Sequence, residues 1–270
     1  MAVKDILVHI DTSPKCAVRL GLAIGLARRY RAHLTGLFLT SHPASSSRQD
    51  GAESALRDAQ ANFERQAAQA GISAEWHSAN WKVVGVGAAE IVNLHAYHQD
   101  LVIVGQTEIG VPVAGIPDDL PEQVVLGSGR PVLVVPYAGE FDKVGERVIV
   151  AWRSGRESVR ALNDAMPFLT GARHVSVVEV VRAIRGAVDG TGTGADVCVH
   201  LARHDIKAWV DKVTVADIQV GDVLLNQAWE GGCDLLVMGA KTHSWTGAPT
   251  LGPITGHILK HMTIPVLMSH

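Results

Sequence analysis

Short, continuous runs of apolar and β-branched residues recur along the chain, separated by longer amphipathic stretches. Because these runs lack polar alternation, they are typical of strands buried on both faces of a parallel sheet. Helical patterns cover residues 19–30, after Ser13-Pro14, and residues 54–70, before Gly71. Strands that alternate with helices predict an α/β, doubly wound fold. The six predicted buried strands lie at residues 6–10, 101–104, 132–135, 148–151, 235–238 and 266–268.

Three stretches of the first half recur in the second half in the same order. Two of them recur at an offset of 134 residues and the third at an offset of 142. Three matches in one order predict a tandem duplication rather than chance. The matching stretches are 100–105 with 234–239, 131–133 with 265–267, and 6–8 with 148–150.

The duplication predicts two domains of similar fold, at residues 1–138 and 145–270. A short polar stretch that contains glycine, residues 136–146, lies between the repeats and is predicted to be the linker. The Ser-rich residues 41–54 are predicted to be a mobile loop.

Composition and charge narrow the classes of function. The 270 residues are 47% hydrophobic with a formal net charge of −3, which argues against nucleic acid or an anionic membrane as an obligate partner. Three scattered cysteines, Cys16, Cys198 and Cys233, are too few for a disulfide framework or a Cys-rich metal site. No targeting signal and no apolar window long enough for a transmembrane helix is found, so we predict a cytoplasmic protein.

Standard catalytic and phosphate-binding motifs are missing from the sequence. Neither G-x-x-x-x-G-K-[ST] nor G-x-S-x-G occurs. The run Gly190–Gly194 does not complete a dinucleotide pattern because the next residue is Ala195, so it is predicted to be a flexible connector. These motifs supply no reactive constellation, so they predict no enzymatic activity.

Two histidine pairs have the i, i+4 spacing that can bind a metal on one helix face, His200 with His204 and His257 with His261. No cysteine or carboxylate completes either set at a recognisable spacing, so we expect no structural metal. Cys16 stands near the start of a helix, where the pKa of a thiol can be lowered, but a lone cysteine is more often simple packing.

The stretch after the predicted strand 235–238 carries the residues best suited to bind a ligand. That strand ends at Gly239, a polar loop with Lys241 follows, and a helix is predicted to begin near Gly252. In an open α/β sheet, ligands bind where the strands end. Backbone N–H groups at a helix start, with hydroxyls beside them, suit an anion.

With these motifs in place, the sequence resembles the universal stress protein family in its tandem two-domain form. The resemblance covers essentially the whole chain. It rests on an aspartate that ends the first strand, a loop related to G-x2-G-x9-G-[ST], and a terminal Pro-Val-Leu strand. It implies two tandem open parallel five-stranded sheets flanked by helices, similar to the adenine nucleotide alpha hydrolases. It also implies a stress-response role, ATP or AMP in the cleft at the loop, and protein partners. Any enzymatic activity that it implies is at most slow ATP hydrolysis.

The resemblance further implies that the last strands, residues 131–136 and 265–269, pair the two domains as an intramolecular pseudo-dimer. Pairing would cover an otherwise exposed apolar edge, and a further homodimer is plausible.

In the second half the family's nucleotide loop is partly kept. Gly239 and Gly252 occupy the first and third glycine positions, Thr242 the second, and Pro253 the Ser/Thr position, with Thr255 fitting a common variant of the motif. Arg153 stands where the family has its first-strand aspartate, and the backbone of Val180 would meet the adenine. Trp245, inside the loop, could fill the cleft itself. The predicted nucleotide-binding residues are Arg153, Val180, Gly239, Lys241, Thr242, His243, Gly252 and Thr255.

In the first half the loop has diverged. Asp11 and Gly105 are kept, but Glu108 and Asp118 stand at the other glycine positions, and Asp119 follows. Carboxylates repel phosphate at short range, so we predict no phosphate binding there. Asp118 and Asp119 also fit a simpler role as favourable charges at a helix N-terminus. Three prolines prevent this loop from following the path of its counterpart: Pro112, Pro117 and Pro121.

Two other classes of function remain open at this point. The chain could be a ligand-free interaction module that has lost nucleotide binding and binds a protein through sheet edges or loops. It could also be a small-molecule enzyme on the same scaffold, because fold does not fix function. Any ATP turnover by such an enzyme should fall when Lys241 or His243 is changed.

Overall fold

The computed structural model describes residues 2–41, 49–81, 85–108, 110–113, 115–184, 187–189, 193–215, 218–243 and 250–270. The chain divides into two compact units, Ala2–Asp142 and Lys143–His270. No helix within the described ranges combines the length and the apolar character that a bilayer crossing requires.

The first unit is a parallel sheet in the order β3-β2-β1-β4-β5. Helix α1 packs against α2, and α3 against α4, so two helix pairs flank the sheet. The described elements are β1 (Asp5–Ile10), α1 (Cys16–Tyr30), β2 (His33–Thr40), α2 (Gln49–Ala70), β3 (Ala74–Asn80), α3 (Ala88–Ala96), β4 (Leu101–Gly105), α4 (Leu120–Gly127) and β5 (Val132–Val135).

The second unit has the corresponding parallel order, β9-β7-β6-β10-β13. It adds an antiparallel strand, β8, on the end of β7, and an antiparallel hairpin, β11-β12. The described elements are β6 (Arg147–Ala151), α5 (Arg156–Asp164), α6 (Met166–Leu169), β7 (His174–Ile184), β8 (Ala187–Asp189), α7 (Gly194–Ala202), β9 (Ala208–Val215), α8 (Val220–Glu230), β10 (Leu235–Gly239), β11 (Thr242–His243), β12 (Thr250–Leu251), α9 (Pro253–His261) and β13 (Val266–Ser269).

The predicted fold class is confirmed, and two of the continuous apolar strands lie inside the sheet of each unit, β1 and β4 in the first and β6 and β10 in the second. Leu7, Val8, Val102 and Ile103 have no exposed surface, because helices cover both faces of their sheet. Full burial of a Val or Leu side chain contributes about 1.5–3 kcal/mol of transfer free energy. The predicted central strands therefore form where the sequence pattern places them.

Several element boundaries differ from those predicted. Helix α1 begins at Cys16 and α2 at Gln49, so each starts before the predicted residue 19 or 54. Of the loop predicted at 41–54, residues 42–48 lie outside the described ranges. Strand β7, which contains Val180 and was not among the six predicted strands, continues to Ile184, where its last residues pair with β8.

One repeated residue has a structural role in both units. Oδ2 of Asp100 accepts hydrogen bonds from the backbone N–H groups of Lys4 and Asp5, at 2.7 and 3.1 Å. In the second unit, Asp234 accepts from the N–H groups that lead into β6, at 2.9–3.1 Å. Each aspartate thus satisfies backbone donors at the start of the first strand of its unit.

Candidate functional site

The carboxyl edge of the second sheet, where its parallel strands end, brings together four of the predicted residues. Strand β10 ends at Gly239, the exposed Lys241 follows, and Thr242 opens the β11-β12 hairpin by pairing with Leu251. The N–H of Gly252 donates to the carbonyl of Lys241 at 2.7 Å. This bond fixes the start of α9 beside Lys241, because Gly252 is the N-cap residue of that helix.

Gly239 is close to a helix rather than open to solvent. A Cβ at Gly239 would lie 2.5 Å from the carbonyl carbon of Glu157 and 2.6 Å from the nitrogen of Ser158. The first turn of α5 therefore packs directly on the end of β10. The glycine at this position is explained by that packing, a requirement which the motif alone does not reveal.

Gly239→Ala should lower the free energy of unfolding of the second unit by about 1–3 kcal/mol, because the backbone of α5 must move away from the new methyl group. Gly256→Ala is the matched control. A Cβ at Gly256, inside α9, meets nothing within 4 Å, so this change should stabilise by about 0.5–1 kcal/mol. Urea denaturation of both variants measures the difference, and equal effects would contradict the packing role of Gly239.

The charge at this edge is mixed. Nε of Arg156 donates to Oε1 of Glu157 at 2.9 Å. A hydrogen bond from its own backbone, the Arg156 guanidinium and the nearby Lys241 ammonium lower the pKa of Glu157. An anion at the start of α9 would meet the positive Lys241 and the N-terminal end of the helix dipole, with the Glu157 carboxylate as a competitor.

The other predicted residues are distributed differently. Arg153 is exposed after β6, Val180 is half-buried within β7, and Thr255 is buried inside α9. The backbone of His243 belongs to β11. Trp245 lies outside the described residues. The structure thus assembles Gly239, Lys241, Thr242 and Gly252, and it places the side chain of Thr255 in the interior.

A hydrogen-bonded bridge also crosses this edge near the end of β6. Nε1 of Trp152 donates to Oγ1 of Thr193 at 3.0 Å, and the hydroxyl of Ser154 lies 2.8 Å from the same oxygen. The next residue, Gly194, donates its N–H to the buried carboxylate of Glu179 at 2.6 Å.

Within the predicted connector 190–194, residues 190–192 lie outside the described ranges. Thr193 is the N-cap residue of α7, and Gly194 is the first residue of that helix. Sequence analysis missed this bridge, and the polar Glu179 in an apolar strand was its only local signal.

The first unit carries a buried ion pair at the equivalent edge. Nη2 of Arg19, on α1, donates to Oδ2 of Asp11 at 2.7 Å, and Nε donates to the carbonyl of His9 at 2.7 Å. The hydroxyl and N–H of Ser13 both donate to Oδ1 of Asp11. A Cβ at Gly105 would overlap the Arg19 guanidinium, which therefore crosses the end of β4. Both carboxylate oxygens of Asp11 are thus hydrogen-bonded within the protein.

Burial and charge shift the pKa values of this cluster. Burial opposes ionisation of Asp11, but Arg19 and His9, with hydrogen bonds from Ser13, lower its pKa to about 2. Burial lowers the pKa of His9 to about 4, so the imidazole is neutral near pH 7. Burial also raises the pKa of the Cys16 thiol, so the activation of a thiol at a helix start does not occur here.

A cavity of about 390 Å³ opens beside this ion pair, between the ends of β1, β4 and β5. One wall is the loop that leads to α4, which is held by consecutive turns and by Nε1 of Trp81, a donor to the carbonyl of Gly115 at 2.9 Å. The lining includes the carboxylates of Glu108 and Asp118. These two charges, together with the internally satisfied Asp11, do not fit the phosphates of a nucleotide. Asp119 is the N-cap residue of α4, without a capping hydrogen bond from its side chain.

The histidine pairs have structural contacts. Nε2 of His257 lies 2.7 Å from Oδ1 of Asp222, and its ring stacks at 4.4 Å from that of His261. The rings of His200 and His204 meet edge to face at 4.9 Å. Among the residues that the structure describes, no group of three or more His, Cys, Asp or Glu side chains is arranged to hold a metal ion.

Comparisons with known proteins agree with this architecture. Residues 199–270 match the model of the universal stress protein family. No curated protein matches the chain in sequence. A universal stress protein from Archaeoglobus fulgidus DSM 4304 is 16% identical, with a TM-score of 0.71 over 98% of this chain and 97% of that one.

Two further solved structures are similar over nearly the whole chain. A functionally unknown protein from Pseudomonas aeruginosa PAO1 is 15% identical, with a TM-score of 0.64 over 99% of this chain and 92% of that one. A putative universal stress protein from Pseudomonas aeruginosa UCBPP-PA14 is 16% identical, with a TM-score of 0.62 over 99% and 93%. The resemblance predicted from the motifs is therefore confirmed: residues 199–270 match the universal stress protein family in sequence, and the chain as a whole shares the fold of its solved structures.

Proposed function

We propose that the chain is a stress-response protein whose second unit binds an adenine nucleotide, ATP or AMP, and acts through protein partners. The observation that carries this proposal is the hydrogen bond of 2.7 Å between the N–H of Gly252 and the carbonyl of Lys241. It brings the exposed Lys241 and the start of a nine-residue helix together at one sheet edge. A helix N-terminus with a neighbouring cation is suited to a phosphate group.

Residues at the start of α9 and the preceding loop would contact the phosphates of the nucleotide. The Lys241 ammonium would attract the phosphates, and the N–H groups of Ile254 and Thr255 would donate to them, because the first turn of a helix lacks internal acceptors for its N–H groups. Pro253 has no N–H and contributes none. Glu157 would weaken the binding, since its carboxylate lies near Lys241.

Lys241→Glu should weaken ATP binding by about tenfold or more, because a charge reversal replaces attraction with repulsion at short range. Glu157→Gln should strengthen it by a factor of about two to five, because the competing charge is removed. Isothermal titration calorimetry with ATP and AMP on nucleotide-free protein measures both effects.

Lys260→Glu is the matched control for this experiment. Lys260 is exposed in the last turn of α9, so its reversal changes the net charge equally but should leave nucleotide affinity nearly unchanged. The proposal fails if neither nucleotide binds the parent chain at concentrations up to about 5 mM. It also fails if both lysine variants lose the same affinity.

A ligand-free interaction module is the second candidate, and Trp229 favours it. This indole is 79% exposed on α8. Large exposed aromatic side chains are typical of protein-interaction surfaces. The same nucleotide titration separates the two candidates, because a module without a nucleotide site gives no binding heat with ATP or AMP.

A further inference from the structure

The cavity of about 390 Å³ in the first unit is separate from the proposed nucleotide site, because every residue of its lining belongs to the unit Ala2–Asp142. Its volume is at the lower end of the roughly 300–1,000 Å³ of small-molecule sites. A cavity in which apolar walls surround a few polar groups is typical of a site for a small organic molecule.

Most of the cavity wall is apolar. Val111, Val113 and Ile116 contribute to it from the loop before α4. Leu120 lines it from the start of that helix, and Val135 from the end of β5. This wall favours a ligand with an apolar body, because the removal of apolar surface from water is favourable.

The charges in the lining leave one carboxylate without compensation. The Arg19 guanidinium and the Asp11 carboxylate neutralise each other in a buried ion pair of 2.7 Å. The other charged residues of the lining are Lys15, Glu108 and Asp118. Lys15 and Asp118 are exposed, whereas Glu108 is half-buried. Water and salt therefore screen the negative charge of Glu108 least.

The Glu108 carboxylate also has no partner in the protein. Among the residues that the structure describes, it forms neither an ion pair nor a hydrogen bond. The lining includes an aromatic residue as well, Tyr137, whose backbone N–H donates to Oε1 of Gln106 at 3.1 Å. A carboxylate without a partner and an aromatic ring are the groups that attract an ammonium ion.

The starts of α1 and α4 adjoin the cavity, and the positive end of a helix dipole attracts anions. Carboxylates of the chain already occupy both positions. Before α1, Oδ1 of Asp11 accepts a hydrogen bond from the N–H of Ser13. Asp118 and Asp119 precede α4, and Glu122 lies in its first turn. These charges offset the two dipoles, so an anionic ligand would gain little from them.

We infer that the first unit binds a small organic cation, an ammonium group on an apolar body. The ammonium group lies beside the Glu108 carboxylate, and the body packs against the apolar wall. This inference goes beyond the proposed function and does not depend on it, because nucleotide binding is assigned to the other unit.

Three probes of similar shape and different charge test the inference: benzylamine, benzyl alcohol and benzoate. At pH 7 the amine is positive, the alcohol neutral and benzoate negative. In isothermal titration calorimetry with the full chain, benzylamine should bind about fivefold or more tightly than benzyl alcohol, and benzoate should bind most weakly. The preference for the amine should shrink at high salt, because salt screens the charge of Glu108.

Nuclear magnetic resonance on the parent chain locates the bound probe. In protein with ¹³C-labelled isoleucine methyl groups, the resonances of Ile116, in the lining, should shift on saturation with benzylamine. The resonances of Ile149, on β6 of the second unit, should stay in place. Because both are read in the parent chain, this result does not depend on the folding of any variant.

Two variants with the same change of net charge complete the experiment. Glu108→Gln should bind benzylamine and benzyl alcohol equally, with the affinity for the alcohol unchanged. Glu122→Gln, on α4 outside the lining, should keep the preference of the parent chain. The inference is overturned if no probe binds, if the parent chain binds amine and alcohol equally, or if the Ile116 resonances do not move. It is also overturned if the two variants behave alike.

Discussion

Arg19→Met should lower the free energy of unfolding of the first unit by about 3–5 kcal/mol, because it leaves the Asp11 carboxylate buried without its counter-charge. The loss is large because Arg19 makes two side-chain hydrogen bonds of 2.7 Å, one to Asp11 and one to the carbonyl of His9. Both side chains of the ion pair are almost completely buried, so water does not replace the missing partner. Urea denaturation followed by circular dichroism measures the change.

Arg28→Met is the control for the same helix. Arg28 is exposed on α1, and its replacement should change the stability by no more than about 0.5 kcal/mol. The double variant Arg19→Met with Asp11→Asn tests the cause. The asparagine keeps an oxygen acceptor for Ser13 but carries no charge, so the double variant should lose less than Arg19→Met alone. If the stability losses of the single variants Arg19→Met and Asp11→Asn simply add in the double variant, the ion pair does not stabilise this edge.

Acidification from about pH 6.5 to about pH 4 should destabilise the first unit by about 3 kcal/mol through His9 alone. Burial lowers the pKa of His9 from 6.5 to about 4. Between these values the unfolded chain binds a proton that the folded chain does not bind. Stability is therefore fully present above pH 6.5 and falls as the pH approaches 4.

Asp11 contributes to the folding stability in a separate and more acidic pH range. Its pKa is lowered from 3.8 to about 2, so its contribution is present above pH 3.8 and is lost as the pH falls through 2. His9→Gln should therefore flatten the stability curve between pH 6.5 and 4 and leave the acid limb in place. The exposed His98 provides the matched control, and His98→Gln should keep the slope of the parent chain. Equal slopes in the parent chain and His9→Gln would contradict the burial argument.

Strands β1, β4, β6 and β10 could be predicted because a strand buried on both faces must be apolar throughout. The inner strands β2 and β7 are missing from the predicted set. The outer strands β3 and β9 are missing as well. Each has a single parallel neighbour and a half-exposed face, so polar residues interrupt it. In β9, for example, Asp211 and Lys212 stand between valines. Helix pattern alone also placed the starts of α1 and α2 too late.

The site could be predicted only in part, because its main contacts join residues that are separated in the sequence and share no recognisable spacing. Asp11 was recognised by its place at the end of the first strand, but nothing in the local pattern identifies Arg19 as its partner. Gly239 was predicted to belong to the nucleotide site, and the motif does not reveal that the backbone of α5 lies against it. The polar His9, between the apolar Val8 and Ile10, was the one local sign in the sequence of a polar cluster at the end of this strand.

The hydrogen bonds of Asp100 also constrain the order of assembly of the first unit. They join residues separated by 95 and 96 positions, and β1 and β4, which pair beside them, lie at the centre of the sheet. Contacts between such distant residues require the closure of a long chain segment and slow the folding of a domain. During synthesis, β1 can pair with β2 early, but its second edge stays open until β4 has also been made. A strand that ends inside the folded sheet is thus an open edge for part of its synthesis, and an open edge can pair with another chain.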